Sequence, residues 1–181
     1  TALDSFGRLD ILVNNAGIER ARARDAGSLA VIATSGAPST APIDAVRAVF
    51  ETNVFGVIAV TQAMLPLLRA ARAGRIVNLS SRVGSLTAIA DPAFPFPGIG
   101  GVAYGPSKTA LNAITLAFAQ ELAATNITVN AVCPGYTATD LNGHTGPRSV
   151  AEAAREPVRL ALLDDDGPTG TFSNEDGVIP W

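Results

Sequence analysis

The chain is short of the residues that build cross-links and metal sites. Its 181 positions hold one cysteine, one histidine, one methionine and one tryptophan. The lone Cys133 cannot close an internal disulfide, so nothing calls for an oxidising compartment. With His144 as the only histidine, a Cys/His zinc site within the chain is excluded, and no metal is expected. Charge is sparse too: charged residues make up 16%, and the net charge is −3. With a pI of about 5.1 and no Lys/Arg cluster, a basic nucleic-acid binder is excluded. No unbroken apolar run reaches the ~18 residues of a membrane span. The opening Thr1-Ala2-Leu3-Asp4-Ser5-Phe6-Gly7 lacks the basic and apolar regions of a signal peptide. A cytoplasmic protein without membrane or nucleic-acid partners is the expectation.

What is present is apolar: 48% of residues are hydrophobic, and mean hydropathy is +0.28. That excludes a disordered polar chain and suits one domain with a sizeable core. Three short apolar runs read as buried strands: residues 10–14, 74–81 and 127–133. Between them, residues 43–72 and 104–124 carry apolar side chains at three- and four-residue steps, which predicts helices. Pro66 is expected to kink or end the first. Residues 149–163 predict a further helix, with Ser149 and Glu152 at capping-box spacing. Thr171-Phe172 and Val178-Ile179 suit a last strand. Residues 29–33 fit a small strand or a helix equally. The Gly- and Pro-rich stretch 82–103 reads as a long loop. Strands alternating with helices imply βαβ units around a parallel sheet, an α/β fold. Such sheets bind ligands at the carboxyl ends of their strands. Here those ends carry Asn14-Asn15-Ala16-Gly17, Ser80-Ser81 and Pro134-Gly135, which should converge on one crevice.

Four polar residues near that crevice could carry chemistry. Tyr104 and Lys108 are four apart where a helix begins, so both lie on one face. A free phenol, with a pKa near 10, is a poor acid–base group at neutral pH. A neighbouring ammonium is expected to lower it. Taken alone, the pair is most often a surface tyrosine beside a surface lysine. Ser81 suits a hydrogen bond to a substrate oxygen, or equally a turn or cap. Asn53 sits inside an apolar helix, where a buried amide must find partners. Asn14-Asn15-Ala16-Gly17 lets a backbone approach a ligand closely, or simply ends a strand.

Taken together, these pieces resemble the short-chain dehydrogenase/reductase family. The resemblance rests on Leu12-Val13-Asn14-Asn15-Ala16-Gly17, the Asn53 segment, Arg75-Ile76-Val77-Asn78-Leu79-Ser80-Ser81, Tyr104-Gly105-Pro106-Ser107-Lys108 and Asn130-Ala131-Val132-Cys133-Pro134-Gly135, in the family's order. Tyr104–Asn112 and Asp166–Gly170 look most like carbonyl-reductase-like members. The resemblance implies a Rossmann-like, doubly wound parallel sheet and NAD(P)(H)-dependent reduction of a ketone or aldehyde, or oxidation of a secondary alcohol. NADP(H) is the expected cofactor over NAD(H).

By the same resemblance, Tyr104 is the general acid or base, Lys108 lowers its pKa and holds the nicotinamide ribose, Ser81 polarises the carbonyl, and Asn53 holds a water in the proton relay. Asn14, Ala16 and Gly17 would line the adenosine-ribose side, and Pro134, Gly135, Thr137 and Thr139 would border the nicotinamide. The partner would be a small carbonyl or alcohol, and the assembly a monomer or homodimer. Phe94 and Phe96 suit an apolar substrate wall. The family's first strand and Gly-rich turn find no counterpart, so residues 1–181 are expected to form one partial dinucleotide-binding domain, the C-terminal two-thirds of the fold. An alternative follows: a non-catalytic fragment or scaffold that no longer binds cofactor tightly. A Ser-His-Asp hydrolase using His144 is disfavoured, because no Gly-x-Ser-x-Gly elbow is present.

Overall fold

Near-continuous apolar runs with β-branched residues predict strands covered on both faces; residues 74–79 and 127–132 form such strands, whereas Val13 in the first run is 42% exposed. In the computed structural model, which describes residues 7–19, 37–95 and 100–181, β1 (Ile11–Asn14), β2 (Gly74–Leu79), β3 (Ile127–Val132) and β4 (Phe172–Asn174) lie side by side in chain order. All three of those pairings are parallel. A two-residue strand β5 (Gly177–Val178) turns back antiparallel on β4. The strand or helix expected near residues 29–33, and Phe96, lie outside the described residues.

Alternation along each strand divides the core between two faces. Ile76 and Val129 pack with Leu68, Phe118, Ala119 and Leu122 of the crossover helices. Val77 and Val132, one and three residues further along, pack with Leu160 on the opposite face. Those crossovers are α1 (Ile43–Phe50), running through a π turn (Glu51–Phe55) into α2 (Gly56–Arg69), and α4 (Tyr104–Glu121). The other face is covered by α6 (Arg155–Ala161), which follows the short α5 (Val150–Ala153). The sheet is therefore doubly wound, as expected.

Four expectations change. Pro66 does not end its helix, which continues to Arg69. Pro66 and Gln62, whose carbonyl loses the helical donor that Pro66 lacks, both lie on an exposed side of the helix, open to solvent. Second, the continuous helix Ile43–Arg69 is, by length and composition, long and apolar enough to cross a membrane. One side of it, with Val49, Val54, Val57, Thr61 and Leu68, is buried in the protein, while Ile43, Phe55 and Val60 are exposed. Third, the stretch 82–103 is not one loop. It contains a 3-10 turn (Arg82–Gly84) and helix α3 (Leu86–Ala90), whose N-cap Ser85 accepts from the Ala88 N–H. Finally, residues 149–163 break into two helices, α5 and α6. The Ser149/Glu152 capping box is present at the first of them.

Candidate active site

The site forms where β1, β2 and β3 end beside the start of α4. Pro106 is tolerated there because first-turn N–H groups need no helical partner. That start is tied to the π turn: Ser107 Oγ donates to the Tyr104 carbonyl at 2.7 Å and accepts from Asn53 Nδ2 at 3.0 Å.

Ser81, Tyr104 and Lys108 come together. The Ser81 side chain lies close enough to the Tyr104 hydroxyl to lower the phenol's pKa. Lys108 Nζ lies 5.6 Å from the Tyr104 ring centroid and donates to the Leu79 carbonyl at 2.7 Å. Lys108 is 5% exposed. The electrostatics differ from the expectation. Burial pushes Tyr104 up to about 12, outweighing the neighbouring Ser81 hydroxyl, which lowers it. Burial pulls Lys108 down to about 8. Desolvation is the largest influence on both groups and decides both values. In the protein alone Tyr104 keeps its proton throughout the neutral range.

Asn53 is fully buried in the π turn. Its Oδ1 accepts from the Ile18 N–H and its Nδ2 donates to the Ile18 carbonyl, both at 2.8 Å. With the Ser107 contact, both amide hydrogens are committed, so the side chain's main work is to fasten the loop after β1 to α4. A water at Asn53 would have to use an acceptor instead. Asn14 is likewise committed below the cleft. Its Nδ2 donates to Thr61 Oγ1 at 3.2 Å and Asn78 Oδ1 at 2.8 Å. Ala16 is exposed and Gly17 half-buried at the rim. A Cβ on Gly17 would stand 3.3 Å from Asn53 Oδ1 and 3.4 Å from Lys108 Nζ. The glycine thus leaves a small open space beside both side chains, which a single methyl would fit tightly and a larger side chain would fill.

After β3, Gly135 has φ +80, and a Cβ there would meet Arg148 Cδ at 2.7 Å. Thr137 Oγ1 donates to the Gly135 carbonyl at 3.1 Å. Thr139 caps the 3-10 turn Asp140–Asn142. Cys133 is buried behind Pro134. Burial pushes its thiol up, against opposing hydrogen bonds from the Gly135 and Arg82 backbone. His144 pairs only with the exposed Asp140, at 2.8 Å, far from a hydrolase arrangement. Among the described residues no cluster of metal-ligating side chains occurs.

Sequence reading placed Ser80 at the crevice but gave no role to it, nor to Gly84, Ser107 or Asn112, all buried around the site. For Asn112 a signal existed: it follows Tyr104 and Lys108 by the same four-residue step.

Comparison with known proteins agrees with this geometry. A family model described as short chain dehydrogenase matches residues 1–149. (-)-Isopiperitenone reductase of Mentha piperita is 32% identical over 239 aligned positions, covering 96% of this chain and 73% of that one. The solved structure of salutaridine reductase from Papaver somniferum superposes with a TM-score of 0.72 at 29% identity, over 94% of this chain and 74% of that chain. NADPH-bound carbonyl reductase from chicken fatty liver gives 0.73 at 26% identity, over 99% and 69%. Because the family match runs through β1, β2, α4 and β3 alike, the chain belongs to the short-chain dehydrogenase family, oxidoreductases acting on carbonyl and alcohol groups with a nicotinamide cofactor.

Proposed function

We propose that this protein reduces a small, largely apolar ketone or aldehyde with NADP(H), with Tyr104 as general acid. One observation carries the reading: the Ser81 hydroxyl lies beside a buried Tyr104 phenol that keeps its proton. Two hydroxyls that close can both donate to one carbonyl oxygen. Negative charge developing on that oxygen then strengthens both hydrogen bonds, which is differential stabilisation of the transition state. Tyr104 completes the step by transferring its proton to the oxygen.

The residues present fit a dinucleotide. The open space at Gly17 beside the buried Lys108 ammonium suits the nicotinamide ribose hydroxyls, and Ala16 and the backbone of Asn14 would line the adenosine-ribose side. Pro134, Gly135, Thr137 and Thr139 would border the nicotinamide, and Asn53 would hold the water of the relay through an acceptor. When bound, the cofactor supplies the hydride. The choice of NADP(H) over NAD(H) is supported by the NADPH in the chicken-liver neighbour. The plant reductases among the relatives support an apolar substrate body. A cytoplasmic location and a monomer or homodimer complete the proposal. Nothing in the site favours a non-catalytic scaffold.

The test is Tyr104→Phe, assayed with NADPH and a panel of apolar ketones. Turnover should fall on the order of 10²–10⁴-fold, the usual contribution of a general acid. Unchanged turnover would reject the role.

A further inference from the structure

The serine that meets Tyr104 sits on a turn, and a turn needs something to fix its height over the helix. Ser80 and Ser81 face opposite ways at the end of β2. Ser80 is 3% exposed and points toward α4. Its Oγ donates to Asn112 Oδ1 at 2.6 Å. Asn112 Nδ2 donates in turn to the Gly84 carbonyl at 3.2 Å. The Gly84 N–H returns to the Ser81 carbonyl at 2.8 Å. One amide thus grips the turn on both sides of Ser81 and closes a ring of hydrogen bonds around it.

The fit allows little slack. A Cβ on Gly84 would lie 2.7–2.9 Å from the Lys108 backbone and Cβ, so the turn is pressed against the helix where Lys108 sits. Tyr104, Lys108 and Asn112 succeed one another at four-residue steps, and side chains so spaced share a helix face. The face that presents the phenol and the ammonium therefore also holds the strand end that presents the hydroxyl.

We infer that Asn112 is a positioning residue: through Ser80 and Gly84 it sets Ser81 over Tyr104 so that both reach one carbonyl oxygen. This rests on the roles proposed above for Ser81 and Tyr104. Asn112 touches neither substrate nor cofactor; it acts through Ser81 alone.

The test is a double-mutant cycle in the full chain, using Asn112→Leu, which keeps the volume and removes both hydrogen bonds. In the parent, kcat should fall roughly 10- to 100-fold, the scale expected when a reacting group shifts by about an ångström. In a Ser81→Ala background the same substitution should change kcat less than about threefold, because the residue it positions is gone. Equal losses in both backgrounds, or no loss in either, overturn the inference. If Ser81→Ala itself leaves turnover unchanged, the Ser81 assignment fails instead, and the two failures are distinct.

A readout independent of turnover uses the chain's two tyrosines, labelled at Cζ for carbon NMR and assigned with Tyr136→Phe. Asn112→Leu and Ser81→Ala should move the Tyr104 resonance alike, and the double variant no further. Additive shifts would overturn the positioning role. Should Asn112→Leu fail to fold, Ser80→Ala removes the other end of the same contact and is expected to show the same dependence on Ser81; full losses in both backgrounds would again overturn it.

Discussion

Replacing Lys108 by methionine should stabilise this protein at neutral pH while abolishing its proposed chemistry. The ammonium is buried, and its pKa falls from the model-peptide value of 10.5 to about 8. Each pKa unit corresponds to about 1.4 kcal/mol, so holding the charged form inside costs about 3 kcal/mol. Methionine matches the length of most of the stem and carries no charge to desolvate. Against this, the Leu79 carbonyl loses its donor at 2.7 Å, a loss of about 1 kcal/mol. The net expectation is a gain of ~2 kcal/mol at pH 7, on the order of 5 °C in a domain of this size.

The sign of the pH dependence is sharper than the net value. Between pH 8 and 10.5 the unfolded chain holds a proton on this lysine that the folded chain has released. Wild-type stability therefore rises with pH across that window, by about 3 kcal/mol relative to Lys108→Met, and is flat in this respect below pH 8. Tyr104 shifts the other way and weakens the fold above pH 10. It is present in both proteins, so it cancels in the difference. Urea unfolding followed by the fluorescence of Trp181, the only tryptophan, at several pH values measures this directly. Trp181 stacks on Phe172 with centroids 5.6 Å apart, so its signal reports the core beside β4. A stability difference that stays constant from pH 7 to 10.5 would show that Lys108 is not desolvated, and the electrostatic account of the site would fall with it.

Two further outcomes follow from the same geometry. Gly17→Ala should bind NADPH nearly as the parent does, whereas Gly17→Val should bind it about 10- to 100-fold more weakly. The extra methyls crowd Asn53 and Lys108, and overpacking of that kind costs about 1–3 kcal/mol. Titration by nicotinamide fluorescence decides it; unaltered binding by the valine variant would place the cofactor elsewhere. Alcohol oxidation needs the Tyr104 phenolate, which a pKa of about 12 keeps scarce. Initial oxidation rates should therefore rise by up to roughly tenfold per pH unit from pH 6 to 8. A flat profile would reject Tyr104 as the base.

What the sequence disclosed, and what it concealed, sort by the range of the interactions involved. Strands at 74–79 and 127–132 were legible because both their faces are apolar, and a parallel sheet under two helix layers is the arrangement that buries both. The convergence of Ser81 with Tyr104 and Lys108 was legible for the same reason: parallel strands place all their carboxyl ends at one edge. The sign of the Tyr104 shift was not. The Tyr–Lys spacing reveals that a cation stands near the phenol, but not that burial surrounds both, and desolvation outweighs the pair at this distance. Pro66 misled because its cost depends on whether the orphaned carbonyl meets water, which is a property of the helix's orientation on the sheet. The four-residue step from Lys108 put Asn112 on the right helix face but did not show its task, because its partners, Ser80 and Gly84, lie far from it in sequence and are ordinary turn formers there. A buried asparagine with no apolar role demands partners. When those partners flank a reactive serine on both sides, packing and chemistry rest on the same two hydrogen bonds, so a change at this position should not separate stability from turnover unless Ser81 is already absent.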